Sequence, residues 1–162
     1  MSEAQVRLFA PNLITVCINS KENGDYSGEI WDQYATRSMP YSGLMDLVFQ
    51  MDELYDSWNF PQRANKCRSF VRDDESIERT PSTPNIRKGK KMELHNVQEK
   101  RGKQGTFIVQ VQYRQNSSWQ GQVIWAEENK REHFRSVLEL MKLIDGAMSG
   151  EEAGLKDAEN AS

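Results

Sequence analysis

Apolar and polar residues alternate along residues 107–125 in two runs, which is the pattern of half-buried strands. The first run places Phe107, Val109 and Val111 at every second position, and the second does the same with Val123 and Trp125. The polar stretch 116–118 lies between the runs and predicts a turn. The sequence therefore predicts a β-hairpin in this part of the chain.

A helix is predicted immediately after this hairpin. Ser136 and Glu139 have the spacing of a capping box, in which a hydroxyl and a carboxylate bond the free amides at the start of a helix. Apolar residues then recur at helical spacing: Val137, Leu140, Met141 and Ile144. Glycines at 146 and 150 favour an end near either position. Residues 150–162 are acidic and rich in small residues, so we expect a disordered tail.

The same order of patterns occurs 93 residues earlier, without a gap. Val16 corresponds to Val109, and Gly28 corresponds to Gly121. Strand patterns at 14–18 and 26–32 flank the turn 23–25, and a helical stripe follows: Leu44, Leu47, Val48, Met51 and Tyr55. Self-similarity at a fixed period indicates repeated structural units.

A single ββα unit leaves one apolar sheet face that a short helix barely covers, whereas two units can share a sheet. We therefore expect an α+β fold in which tandem pseudo-twofold ββα repeats form a four-stranded antiparallel sheet. Both helices are expected on one face of it. The expected organisation is a first repeat at 12–61, a basic and largely flexible linker at 62–104, a second repeat at 105–149, and the tail at 150–162.

The expected linker differs from the rest of the chain in charge. It contains twelve Lys and Arg residues against six Asp and Glu, while the remainder contains nine against eighteen. Residues 73–91 combine prolines with a basic run and few large apolar side chains, so we expect them to be mobile. Residues 92–97 could form an added edge strand.

Composition also limits the classes of protein to which this chain can belong. The two cysteines, Cys17 and Cys67, have no metal-ligand spacing and indicate no disulfide framework. No apolar run approaches the length of a membrane-spanning helix, and the N-terminus has no signal-peptide pattern. We expect a cytoplasmic protein without a metal or cofactor, and homo-oligomers are possible.

The sequence contains no recognisable catalytic constellation. The two histidines, His95 and His133, lie in no nucleophile motif and beside no glycine-rich phosphate loop. Asp52 and Asp145 occupy equivalent helix positions and are expected to be solvated acids on the polar flanks. We therefore expect a binding protein and not an enzyme.

The sheet face opposite the helices is the first candidate binding surface. Alternation places Tyr113, Trp119 and Trp125 toward the helices, as core residues. The opposite face mixes apolar and amide side chains with few charges, which suits a protein partner. Its candidate contact residues are Trp31, Ile108, Gln110, Gln112, Gln122 and Ile124. The alternative is that linker residues such as Phe70 cover this face.

The basic linker is the second candidate. Its arginines and lysines could contact the phosphates of a nucleic acid or a cyclic dinucleotide. The candidate phosphate-binding residues are Arg68, Arg72, Arg87, Lys88, Lys90 and Lys91.

Two resemblances bear on these alternatives. Residues 68–72 (RSFVR) and 116–121 (NSSWQG) resemble the RxxxR and (D/N)xSxxG signatures of the PilZ family. That resemblance implies cyclic di-GMP binding, with paired arginines on the ligand. As a whole, the chain resembles a group of small proteins from clostridial-type bacteria, through 112–116 (QYRQN), 119–121 (WQG), residues 134–145, 60–62 (FPQ) and 68–70 (RSF). The latter resemblance implies no particular activity.

Overall fold

The computed structural model describes residues 6–35, 37–64, 68–70 and 94–160. The segment 73–91, for which the sequence predicts mobility, lies outside these ranges. Within these ranges the structure has nine elements: β1 (Ile14–Glu22), β2 (Asp25–Asp32), β3 (Met39–Ser42), α1 (Leu44–Trp58), α2 (Leu94–Glu99), β4 (Gly105–Tyr113), β5 (Gln120–Trp125), β6 (Lys130–Phe134) and α3 (Val137–Asn160).

The strands form one antiparallel sheet in the order β3-β2-β1-β4-β5-β6. The α+β class is confirmed, but the expectation of four strands is wrong, because each half adds a short edge strand. In β3 only Tyr41 is buried, and in β6 only Phe134 is buried. Edge strands need few inward-facing apolar residues and are protected by proline or charged side chains. Strands β3 and β6 therefore lack the apolar alternation from which a strand is predicted.

Both long helices pack against the same face of the sheet. Leu47 and Met51 from α1 lie in one hydrophobic cluster with Leu140 and Ile144 from α3. Alternate residues of the central strands complete this cluster: Ile14, Val16 and Ile18 from β1, and Phe107, Val109 and Val111 from β4. The expected position of both helices on one face is therefore correct, and this cluster is the main core.

The two long hairpins share their irregularities. A β-bulge follows Ile18 in β1, and another follows Val111 in β4, 93 residues later. Gly28 faces the first bulge and Gly121 the second. A Cβ atom at either glycine would lie 1.9 Å from a backbone oxygen, that of residue 17 or residue 110. Close approach of two backbones requires glycine at both positions.

The two hairpin turns also bond the helices. The carboxylate of Asp25 accepts the Leu44 amide at 2.9 Å, and the hydroxyl of Ser118 accepts the Val137 amide at 3.1 Å. These contacts satisfy free N–H groups at the starts of α1 and α3. Ser136 also accepts the Glu139 amide at 3.0 Å, which is half of the expected capping box. Glu139 bonds the amide of Arg135 instead of that of Ser136.

A second layer covers part of the opposite sheet face. The chain before β1 and helix α2 lie there, and Leu8 and Leu13 form a small cluster with Ile108 and Ile124. Gln98 of α2 binds the backbone of Leu8 twice, donating to its oxygen at 2.9 Å and accepting from its nitrogen at 3.1 Å. The C-terminal part of the expected linker is therefore packed, and residues 94–99 are helical where an edge strand was considered.

Helix α3 is longer than the glycine positions indicate. It continues through Gly146 and Gly150 to Asn160, so the expected disordered tail is helical up to that residue. Single glycines cost a helix about 1 kcal/mol each, and the Glu, Ala and Lys residues that follow favour helix.

The core position of α3 can be tested directly. Ile144 is fully buried against the sheet. We expect Ile144→Val to lower the free energy of unfolding by about 1 kcal/mol, because one buried methylene is removed. Urea denaturation measures the change, and an unchanged midpoint would contradict the burial of this helix face.

Candidate functional site

The structure separates the residues predicted for partner binding. Ile108 and Ile124 are buried under Leu8 and Leu13, so the expectation that they lie on an open face is not met. The covering segment is the N-terminal chain, not Phe70, which is fully exposed. Sequence alternation identified the face but could not show that residues 6–13 lie on it.

The other predicted contact residues keep some solvent exposure. Trp31 is half-buried, with the Lys100 ammonium 4.3 Å from its ring centroid. Gln110 and Gln122 are half-buried, and their side chains hydrogen-bond each other at 2.8 Å. Gln112 is exposed at the bulge of β4.

The bulge changes the face on which Tyr113 lies. Val111 pairs with Gly121 and Tyr113 pairs with Gln120, so one residue of β4 is skipped and the alternation reverses. Tyr113 is therefore 57 % exposed, and its expected core position is wrong. It shares the second sheet face with Gln110, Gln122 and the exposed His133. We call these four residues the glutamine face.

Trp119 and Trp125 behave as expected. Trp119 is buried, and Trp125 is partly buried against Phe107, with ring centroids 6.4 Å apart. Neither indole is therefore available as an open stacking platform.

An open cleft of about 420 Å³ adjoins the glutamine face. The segment Phe60–Ala64 forms one wall and Gln112–Gln115 the other. Arg63 and Arg114 form an isolated parallel β-bridge between them, and the Ala64 amide donates to the Arg114 oxygen at 3.2 Å. Exposed Tyr113 thus lies between the amides of the glutamine face and the cleft.

The carboxylates of α1 near this cleft are paired with arginines. Arg114 is 3 % exposed and donates to Asp56 at 2.7 Å, to Asp52 at 3.3 Å and to the Pro61 oxygen at 2.6 Å. Arg63 bonds the same two carboxylates. Asp52 is therefore an ion-pair partner, and the expectation of a solvated acid is wrong. Asp145 accepts a 2.7 Å bond from the Tyr26 hydroxyl.

The remaining candidate groups have structural explanations or lie apart. Burial, with the charge of Glu29 next in size, raises the pKa of the Cys17 thiol to about 12, so this thiol stays protonated at neutral pH. Within the PilZ-like motif, Asn116 has positive φ in the turn, Ser118 bonds α3 and Gly121 faces the bulge. Arg68 is exposed, and the other residues of the phosphate-binding set (Arg72, Arg87, Lys88, Lys90 and Lys91) lie outside the described ranges.

A pocket that was not predicted from the sequence lies between β2, β3 and the C-terminal half of α1. Its volume is about 280 Å³. Aromatic and aliphatic side chains line most of it, and the carboxylate of Asp32 is its acidic group; the lining residues are Asp32, Tyr34, Ala35, Met39, Leu54, Ser57 and Trp58. The rings of Tyr34 and Trp58 lie 5.4 Å apart at an angle of 59°. We call this cavity the Asp32 pocket.

Asp32 is unusually placed for a carboxylate. It is 3 % exposed and pairs across the sheet with the buried Ile14. Its Oδ1 atom accepts the amides of Tyr34 and Ala35 at 2.8 and 2.9 Å, whereas Oδ2 has no partner among the described residues. Burial raises the pKa of Asp32 above its ordinary value, and the two amide bonds partly offset that effect. The buried Tyr34 hydroxyl also lacks a hydrogen-bond partner there.

A sequence signal for this pocket existed. In β2 the inward-facing positions are occupied by the apolar residues Tyr26 and Ile30 and then by Asp32. The residue 93 positions after Asp32 is Trp125. A carboxylate where the repeat pattern expects an apolar residue marks a candidate functional position.

Within the described ranges, no three His, Cys, Asp or Glu residues are grouped as a metal site would require. No helix in the described part of the chain combines the length and apolar character needed to cross a membrane. Comparisons with family models, with curated proteins and with solved structures each gave no match.

Proposed function

We propose that this chain is a non-enzymatic binding or adaptor protein that engages a protein partner, with the basic segment 62–104 assisting. Its contact surface is the glutamine face together with the adjoining cleft. The two halves of the chain act as duplicated units with a pseudo-twofold relation, of which the second unit provides this surface. Turnover is not part of the proposal, because the paired carboxylates near the cleft already bind arginines.

The exposure of Tyr113 carries the proposal. A tyrosine that is 57 % exposed on a sheet face contributes a large apolar ring at low entropic cost when a partner covers it. Gln110 and Gln122 flank it with amide groups and no net charge. Tyrosine is enriched in protein interfaces, whereas charged residues are depleted at their centres. The surface therefore fits a protein partner better than a phosphate backbone.

The alternative is a nucleic acid or cyclic dinucleotide bound through the basic linker. One observation favours it: Tyr113 and His133 are exposed on the same sheet face, and Arg131, two residues before His133, lies on that face by strand alternation. Exposed aromatic rings on a sheet can stack bases while arginines contact phosphates.

Site-specific cross-linking tests the proposal. We expect a photoreactive phenylalanine analogue at position 113, expressed in the source cells, to give a discrete cross-linked product with one protein. Gln110→Lys should abolish that product, because it adds a charge beside Tyr113. Gln50→Lys, on α1, is the matched control and should leave it unchanged. The same analogue at exposed Leu138 of α3 should give no such product.

A salt series distinguishes the alternative. Affinity for a single-stranded oligonucleotide or a cyclic dinucleotide that falls steeply with salt, together with no protein product at position 113, would replace the proposal by the alternative. Products of equal yield at positions 113 and 138 would contradict a specific surface.

A further inference from the structure

We propose that the Asp32 pocket is a second binding site, separate from the glutamine face, and that it binds a protonated primary amine on an apolar stem. Ligands of this chemistry include small alkylamines and the side chain of lysine. The proposal does not depend on the function proposed above, because the pocket is formed entirely by the first half of the chain.

The polar part of the argument is the unpaired oxygen of Asp32. Both amide bonds reach Oδ1, which leaves Oδ2 without a partner among the described residues. A carboxylate in a largely apolar environment is costly unless it is neutralised or paired with a cation. An ammonium group in the pocket would provide the missing charge and a hydrogen-bond donor at once.

The apolar part of the argument is the lining. Tyr34 and Trp58 provide two aromatic rings, and Met39 and Leu54 provide aliphatic and thioether surface. Aromatic faces attract cations, and the lining can bury an alkyl stem of a few methylene groups. A divalent metal ion fits poorly, because Asp32 is the only carboxylate among the lining residues. A phosphate or carboxylate ligand would be repelled by the charge of Asp32.

The fold does not require a carboxylate here, as the second half of the chain indicates. Trp125, the counterpart of Asp32, packs on Phe107, which is the counterpart of Ile14. The corresponding position thus accepts an apolar aromatic residue in the same sheet. The two amide bonds of Asp32 use Oδ1 alone, so they do not account for its second oxygen, which is left available for a ligand.

The test is an NMR titration with n-butylammonium, with n-butanol as its neutral counterpart. The indole N–H signal of Trp58, assigned with Trp58→Phe, should shift and saturate with n-butylammonium but not with n-butanol. Asp32→Asn keeps an acceptor for the Tyr34 and Ala35 amides, so it should fold and bind at least tenfold more weakly. Glu128→Gln, an exposed residue away from the pocket, removes the same charge and should bind normally.

Two further arms complete the test. Ser57→Lys adds a tethered ammonium at the pocket and should prevent the shift by n-butylammonium. An N-acetyl-lysine amide that binds as well as n-butylammonium would assign the site to lysine side chains, and weaker binding would assign it to free amines; both support the amine chemistry. Equal binding by wild type and Asp32→Asn, or equal shifts with n-butanol, would overturn the proposal.

Discussion

Replacing Arg114 with alanine is expected to lower the free energy of unfolding by about 3 kcal/mol. The guanidinium is almost fully buried and satisfies two carboxylates and a backbone oxygen. It also lies 5.9 Å from the ring centroid of Tyr55. The substitution leaves the Pro61 oxygen without its donor and Asp52 with one partner fewer, and it opens a cavity under α1. Urea denaturation of both proteins measures the difference.

Arg63 is the matched control, because it bonds the same two carboxylates from a more exposed position. Arg63→Ala is expected to cost no more than about 1 kcal/mol, as partly solvated ion pairs contribute little. Arg114→Lys should lie between the two, since an ammonium cannot reproduce the planar fork of the guanidinium. Equal losses for both alanine variants would show that burial does not decide the strength of this cluster.

Alanine at Gly28 or at Gly121 is expected to destabilise the protein by about 3 kcal/mol in each case. The new Cβ would lie 1.9 Å from a backbone oxygen of the neighbouring strand, and backbone cannot move aside as a flexible side chain can. Each bulge would have to open, which separates β1 from β2 or β4 from β5. Thermal unfolding followed by circular dichroism reports both losses.

Gly146→Ala is the control for this pair of substitutions. Gly146 lies inside α3, and nothing approaches a Cβ built there within 4 Å. Alanine at that position should stabilise the protein by up to about 1 kcal/mol, because helix propensity improves without a clash. If Gly28→Ala and Gly121→Ala differed by more than about 2 kcal/mol, the two hairpins would not be structural equivalents.

The sequence predicted the elements that have a clear apolar periodicity within one short stretch of chain. Strands β1, β2, β4 and β5 and the starts of both long helices follow from alternation, helical spacing and a capping box. The short strands β3 and β6 each bury a single large side chain, so their pattern was too weak to detect. The second layer was also missed, because Val97 and Leu8 are buried by contacts between residues about 90 positions apart.

The candidate site was harder to predict than the fold. Ile108 and Ile124 were assigned to the correct face, but exposure depends on what covers that face and not on the strand itself. Tyr113 was assigned to the wrong face because the bulge at Gln112 reverses the alternation of side chains in β4. The residue types at this position do not predict a bulge reliably. Asp32 could have been noticed as a charged residue at a position where the strand alternation predicts an apolar one. Its pocket could not be predicted from β2 alone, because residues of α1 form part of the lining.

The central pairing of β1 with β4 has a consequence for synthesis of the chain. Ile14 pairs with Val109, so the ribosome must make about 90 further residues before β1 gains its second neighbour. Until then the first half presents an unpaired edge of high β-propensity, ITVCI, which is the kind of edge that promotes aggregation. Contacts of such large sequence separation also form slowly. We therefore expect the chain to be most exposed to aggregation while only its first half has been synthesised.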